Sequence, residues 1–340
     1  MLFLETIKGN QSTKTPVWFM RQAGRHLPEY RELRAKAGSF LDLCYNPELA
    51  SEVTLQPIRR YDMDAAIVFA DILLIPHALG QKLWFVAGEG PRLDPVITKS
   101  NIDQFRSRDD FSMLDPVYET LSMTRSELGD EKALIGFAGA PWTVATYMLA
   151  GGPSKDPSAL RAAYYDDPVF FMELIDLLTQ ATISYLINQG RAGANALQLF
   201  DSWSSGLPEA LMRKLCLEPA EKIASAVKKA LPGMHFIMFP KGAGSMAIDF
   251  AQSEFCDAIG IDTPTPAKWA LENLSPNSCV QGGLDPLLVV KGGRAMEDSA
   301  RHYLEVFRDV PHVFNLGHGF LPETPIVNVT RLMEIIREER

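Results

Sequence analysis

Short apolar runs recur along the whole chain, each stopped by Gly, Pro or a polar residue: PVWFM, AAIVF, ALIGF, ALQLF, HFIMF, DAIGI, SCVQG and HVFNL. The segments between them carry the three-and-four spacing of a helix with one buried face, most clearly at residues 47–60, 116–128, 168–189, 208–230 and 325–339. Several of these open with proline, which a first helical turn accommodates because its N–H would be unpartnered there anyway. Strand followed by helix, eight times over, predicts an α/β chain folded as a single parallel (β/α)8 TIM barrel. An open, doubly wound sheet is the alternative that the pattern leaves standing.

Two stretches fall outside this rhythm. Residues 76–95, PHALGQKLWFVAGEGPRLDP, are rich in Gly and Pro around an apolar middle and predict an inserted hairpin or loop after the second strand, placed to form part of a site wall. Residues 151–157, GGPSKDP, read as a mobile loop after the third strand. Residues 257–279 leave room only for short helices. No repeat and no linker divides the chain, so residues 1–340 are expected to form one domain.

Composition narrows the function. With 33 Lys+Arg against 42 Asp+Glu, the net charge of −9 excludes a generally basic nucleic-acid binder. The N-terminal MLFLETIKGN lacks the charged start and apolar run of a signal or transit peptide, and a cytoplasmic location is expected. The most apolar stretch, residues 65–75, is broken by Asp71 and falls short of the roughly 18 apolar residues that span a bilayer, so no membrane partner is expected. Cys44, Cys216, Cys256 and Cys279 form no CxxC pair, which suits a reducing compartment and supports neither a disulfide framework nor a zinc cluster.

In a parallel barrel the chemistry sits where strands end, so the polar residues that follow each run are the candidates. They are Arg21, Gln22 and Arg25 after the first run, Asp71 after the second and Tyr147 after the third. Asp201 and Ser202 follow the fourth, and Lys241, Asp262, Asp285 and His318 the last four. Residues 20–36, MRQAGRHLPEYRELRAK, are basic within an acidic protein. Arginine presents a planar fork of donors that fits carboxylate or phosphate, so capture of a small polyanion and a solvated helix face are both open for Arg21 and Arg25, while Arg31, Arg34 and Lys36 read as a solvated helix face. Asp71 sits in the apolar FADILLI, where a desolvated carboxylate needs partners. Backbone amides at a strand end and a ligand bearing N–H groups or positive charge are both open. Taken singly, His318 reads as a structural histidine, Tyr147 as a core tyrosine, Ser202 as a helix cap and Phe200 as a strand aromatic. No P-loop, GxSxG or HExxH pattern occurs, and the six histidines show no metal-ligand spacing.

The sequence PVWFMRQAGRHLPEYR resembles the uroporphyrinogen decarboxylase family, and the likeness continues through FADILLIPHALG, GFAGAPWTVATYM, LQLFDSW, FPKGAG, QGGLDP and NLGHGFLPETP. The resemblance implies one barrel, a homodimer, and conversion of uroporphyrinogen III to coproporphyrinogen III by loss of CO2 from four acetate side chains, with no metal and no organic cofactor. By the same motifs, Asp71, Arg21 and Tyr147 match catalytic positions. Gln22, Arg25, Arg34, Phe69, Phe200, Ser202 and His318 match substrate-binding positions. His26, Gly283 and Thr263 depart from the family pattern. The chemistry suits these residue types. A pyrrole acetate loses CO2 readily once the ring has accepted a proton, because the cationic ring then takes the electron pair. Asp71 would stabilise that cation, and Arg21, acting with bound water, would deliver the proton. Two rivals are a zinc-dependent corrinoid or coenzyme M methyltransferase on the same barrel, which would need His and Cys ligands, and a non-catalytic tetrapyrrole carrier, which would tolerate loss of Asp71.

Overall fold

The computed structural model describes residues 1–86, 88–153 and 157–338. In chain order the strands are β1 (Ala65–Ile67), β2 (Lys82–Val86), β3 (Gly90–Asp94), β4 (Ala133–Gly139), β5 (Ala196–Asp201), β6 (His235–Pro240), β7 (Ala258–Ile261), β8 (Cys279–Gly282) and β9 (His312–Val313). Seven of them form one parallel sheet in the order β1-β4-β5-β6-β7-β8-β9. The first predicted run supplies the remaining stave. Phe314 N–H donates to the Pro16 carbonyl at 2.8 Å, and Asp64 N–H, just before β1, donates to the Val17 carbonyl at 2.9 Å. PVWFM therefore stands between β9 and β1 and joins the two edges of the sheet.

This stave is irregular for a reason visible in its residues. Pro16 has no N–H, and three of the next four N–H groups bond to side chains instead of a ladder: Val17 to Asp64 Oδ2 at 2.8 Å, Phe19 to Gln22 Oε1 at 3.0 Å and Met20 to Asn315 Oδ1 at 3.1 Å. The barrel interior is packed, not hollow. Gln281 on β8 donates to Gln198 on β5 at 2.9 Å and accepts from the Trp18 indole at 3.3 Å, a chain of buried amides linking strands that are not neighbours.

The outer helices follow the sequence closely. Pro47–Tyr61 is capped by Asn46, whose side chain accepts the Leu49 N–H, and it packs against Asp115–Leu128. The helix predicted over 208–230 is broken into Glu209–Met212, a wide π turn Arg213–Leu217 and Glu218–Ala230. Pro219 cannot donate back to the preceding turn, and the chain widens just ahead of it. Pro168–Arg191, at 24 residues, is long and apolar enough to cross a membrane by length and composition, although residues 65–75 are the most apolar stretch of the sequence. Half of its apolar window is buried, and it packs on β4 and on the helices Pro141–Ala150 and Glu218–Ala230. β2 and β3 form the inserted antiparallel hairpin, with Leu83 paired to Leu93; Ala87 between them lies outside the described residues, as do residues 154–156 of the predicted 151–157 loop.

Candidate active site

Arg21 follows the first stave in a left-handed conformation, φ 60°, uncommon for a residue with a side chain. Its neighbours make that turn possible. A Cβ on Gly24 would stand 3.0 Å from the Arg21 carbonyl oxygen, and one on Gly319 would lie 2.4 Å from Arg21 Cδ and 2.5 Å from Cγ. Gly319, beside His318 on the opposite end of the chain, is thus the floor on which the Arg21 stem rests. Phe320 N–H donates to the Met20 carbonyl at 3.0 Å and ties the two segments together. Burial lowers the pKa of Arg21, with the negative charge of Asp71 acting in the other direction.

Asp71 lies past β1, where Leu73 N–H donates to its Oδ1 at 2.8 Å. Both readings of this carboxylate therefore meet in one residue, since it also lines the large cavity described below. Burial pushes its pKa up to about 6, against the opposing pull of the Leu73 N–H and of Arg21. Tyr147 stands on Pro141–Ala150, the helix after β4, with its ring edge-on to Trp203 at 5.9 Å; burial raises its hydroxyl pKa. Ser202 directly follows β5. At His318 the Gly319 N–H donates to Nδ1 at 2.7 Å, so Nδ1 holds a lone pair and the neutral ring carries its proton on Nε2. Burial, then the positive charges of Arg21 and Lys241, lower its pKa to about 4 and keep it neutral.

These side chains share one cavity of about 910 Å³, near the upper end for a small-molecule site. Arg21, Arg25, Arg34, Asp71, Tyr147, Ser202 and His318 all line it. Arg25 is exposed, and no carboxylate stands within 4 Å of its guanidinium or that of Arg21 among the described residues. Arg34 is partly engaged, donating to the Gly38 carbonyl at 2.6 Å beyond the end of its helix Pro28–Lys36.

The remaining wall is aromatic. Phe69 packs on Tyr30 and Phe40, Phe40 on Phe85 of the hairpin, and Phe200 on Phe137 and Phe239. Phe69 and Phe200 are expected from the sequence; Phe40, Phe85, Phe137 and Phe239 are not. A signal for two of them was present, because Phe69, Phe137, Phe200 and Phe239 each occupy the fifth place of their run. The hairpin contributes Phe85, Val86 and Pro91 to the same wall.

Gln22 is the residue that the structure does not bring to the cavity. It is fully buried, accepts the Phe19 N–H and donates to the Ala65 carbonyl at 3.1 Å. Its amide joins the first stave to β1 and stands apart from the cavity. Three other strand-end residues also serve the backbone or a neighbouring side chain. Asp262 accepts from Gly242 N–H and the Thr265 hydroxyl, Asp285 caps Pro286–Lys291, and Asp201 accepts from Thr143. Gly317 makes room for Thr263, a departure from the family pattern: a Cβ there would stand 2.3 Å from the Thr263 nitrogen. No group of three His, Cys, Asp or Glu side chains able to hold a metal occurs among the described residues.

Residues 1–339 match the family model described as uroporphyrinogen decarboxylase (URO-D). A protein of Jannaschia sp. named uroporphyrinogen decarboxylase is 50% identical over 335 residues, covering 98% of each chain. One of the same name from Rhodospirillum rubrum is 47% identical over 338 residues, covering 99% of this chain and 97% of the relative. Among solved structures, a methyltransferase from Methanosarcina mazei superposes with a TM-score of 0.80 at 19% identity, covering 99% of this chain and 97% of its own. At that identity the likeness speaks to the barrel alone.

Proposed function

The chain belongs to the uroporphyrinogen decarboxylase family, and from that premise we propose how its cavity decarboxylates uroporphyrinogen: four acetate side chains of uroporphyrinogen III become methyl groups, giving coproporphyrinogen III as a carboxy-lyase reaction that uses no cofactor. The observation that carries this reading is Asp71, the one carboxylate lining the cavity among the described residues, set among arginines that have no carboxylate partner among those residues, above an aromatic wall. An aromatic cleft suits the macrocycle, the arginines suit its carboxylates, and a single carboxylate suits its four pyrrole N–H groups.

Each turn of the reaction takes up one proton and releases one CO2. Protonation of the ring α-carbon next to the one that bears the acetate makes the ring a conjugated cationic iminium. The C–C bond to the carboxylate then breaks, and its electron pair moves into the ring, leaving an exocyclic methylene. A proton added at that methylene and one lost from the protonated α-carbon give the methyl group and restore the pyrrole. Asp71, ionised above about pH 6, stabilises the cation in a site where little water screens it. Arg21, beside Asp71 on the cavity wall, hands the proton over through bound water. Arg25 and Arg34 hold the carboxylates that are not reacting, and Tyr147, Ser202 and neutral His318 offer uncharged hydrogen-bond donors that orient the acetate. Phe69 and Phe200 bound the ring.

The family likeness also supports a homodimer in the cytoplasm, which sedimentation of the purified chain tests in its first part. The reaction itself is tested by anaerobic incubation with uroporphyrinogen III in metal-chelated buffer, then oxidation and separation of products by carboxylate number. Successive seven-, six-, five- and four-carboxylate porphyrins are expected. Turnover that appears only on adding a metal or cofactor would refute the cofactor-free mechanism.

A further inference from the structure

Asp201 ends β5 and is 4% exposed, yet it does not line the cavity. Its carboxylate turns to the neighbouring helix Pro141–Ala150, where the Thr143 hydroxyl donates to Oδ1 at 2.6 Å. The same hydroxyl oxygen accepts the Trp203 N–H at 3.1 Å, and the Trp142 indole donates to the Trp203 carbonyl at 2.9 Å. The Asp201 carbonyl is held in turn by Lys241 N–H and the Ser204 hydroxyl, both at 3.0 Å. Residues on both sides of Ser202 are therefore bonded to the scaffold, and two of the bonds run through one threonine hydroxyl.

That helix also carries Tyr147, four residues beyond Thr143 and so on the same helical face, with its ring against the ring of Trp203. The bond from strand end to helix links two elements that each present a hydroxyl to the cavity. We propose that Asp201 and Thr143 are a positioning pair that holds Ser202 and Tyr147 in register across the cavity without touching the substrate. Fold stability alone accounts poorly for the choice of residue: Asp201 is a buried carboxylate whose Oδ2 has no partner at hydrogen-bond distance, the weakly donating Cys216 thiol being its other polar neighbour, an arrangement that an apolar side chain would avoid. A carboxylate there gives the Thr143 hydroxyl a strong acceptor, which fixes its rotation and presents its lone pair to Trp203 N–H.

The proposal rests on the reading of Ser202 and Tyr147 as substrate-orienting groups, so Ser202→Ala and Tyr147→Phe are assayed beside Thr143→Val, Thr143→Ser, Asp201→Asn and Asp201→Ala. All rates are taken well below each variant's thermal midpoint. Thr143→Val should lower kcat about 10- to 100-fold, the cost of a displaced reacting group, while KM for uroporphyrinogen stays within a few-fold because the arginines are untouched. Thr143→Ser keeps the hydroxyl and should restore kcat. If Thr143→Val does not fold, the Asp201 pair carries the same test: Asn keeps an acceptor and most of the rate, and Ala loses it at unchanged KM. Equal kcat within either pair overturns the positioning role, as does a loss confined to KM. Full kcat in both Ser202→Ala and Tyr147→Phe would instead refute the reading of the site itself.

Discussion

Asp71, just past a strand, and Asp201, the last residue of one, are two aspartates with pKa values pushed up to about 6 by burial, and they do opposite things. Asp71 spends one oxygen on the Leu73 N–H and lines the cavity; Asp201 spends one oxygen on Thr143 and faces a helix. A perturbed carboxylate therefore marks desolvation, not catalysis. What separates the two is direction, set by the next few residues. After Asp71 the chain turns at once, with Leu73 folding back on the carboxylate, whereas Asp201 is still in the β5 ladder, paired with Pro240, so its side chain follows the pleat.

The largest effect should come from Asp71→Asn. Removing the charge while keeping the shape should lower kcat by about 10²–10³-fold with KM little changed, as for loss of one preorganised electrostatic group. Steady-state kinetics with uroporphyrinogen III decide it, and a kcat within a few-fold of the parent would mean that Asp71 does not stabilise the reacting ring.

A smaller loss is expected from Gly319→Ala. The added methyl would stand 2.4 Å from Arg21 Cδ, so the arginine stem must shift while the rest of the site keeps its residues. A fall in kcat/KM of about 10- to 100-fold is expected from displacement of a reacting group. Pairing the variant with Arg21→Lys sharpens the result: if Gly319 acts through Arg21, the two losses should fall well short of additive.

The pH dependence separates the aspartates again. If ionised Asp71 is required, kcat/KM should fall roughly tenfold per pH unit below about 6, and Asp201→Asn should leave that limb in place. Stability runs the other way. A carboxyl whose folded pKa lies above its unfolded value favours the fold while protonated, and this contribution is lost as pH rises through about 6. Any thermal-midpoint advantage of Asp71→Asn over the parent should thus be largest at pH 7 and shrink as the pH falls toward 4. A constant difference across that range would mean that Asp71 does not titrate there.

The comparison also shows what a linear sequence can and cannot carry. All eight apolar runs lie where the barrel needs staves, and the hairpin falls between β1 and β4, because burial periodicity is written residue by residue. Direction after a strand end is not. Gln22 adjoins Arg21, yet its amide is consumed by Phe19 and Ala65, a use fixed by two bonds whose partners lie three and 43 residues away. Phe137 and Phe239 were legible by their shared place in the runs, whereas Phe40 and Phe85 reach the wall from a helix and a hairpin whose docking depends on tertiary packing.

The smallest effect should come from Arg34, the residue in which a solvated helix face and a cavity arginine coincide. Its guanidinium already donates to the Gly38 carbonyl, where a cation at the C-terminal end of Pro28–Lys36 is favoured by the helix dipole, so only part of its donor capacity is free for substrate. Arg34→Ala should raise KM by about two- to tenfold, the worth of one ordinary hydrogen bond, and leave kcat unchanged. Repeating the measurement with a seven-carboxylate intermediate tests whether the lost contact is to an acetate that has already reacted. A smaller KM change for that intermediate would place Arg34 on the first acetate to leave; an equal change would place it on a carboxylate that persists, and a kcat loss as large as that of Asp71→Asn would move Arg34 into the reacting centre.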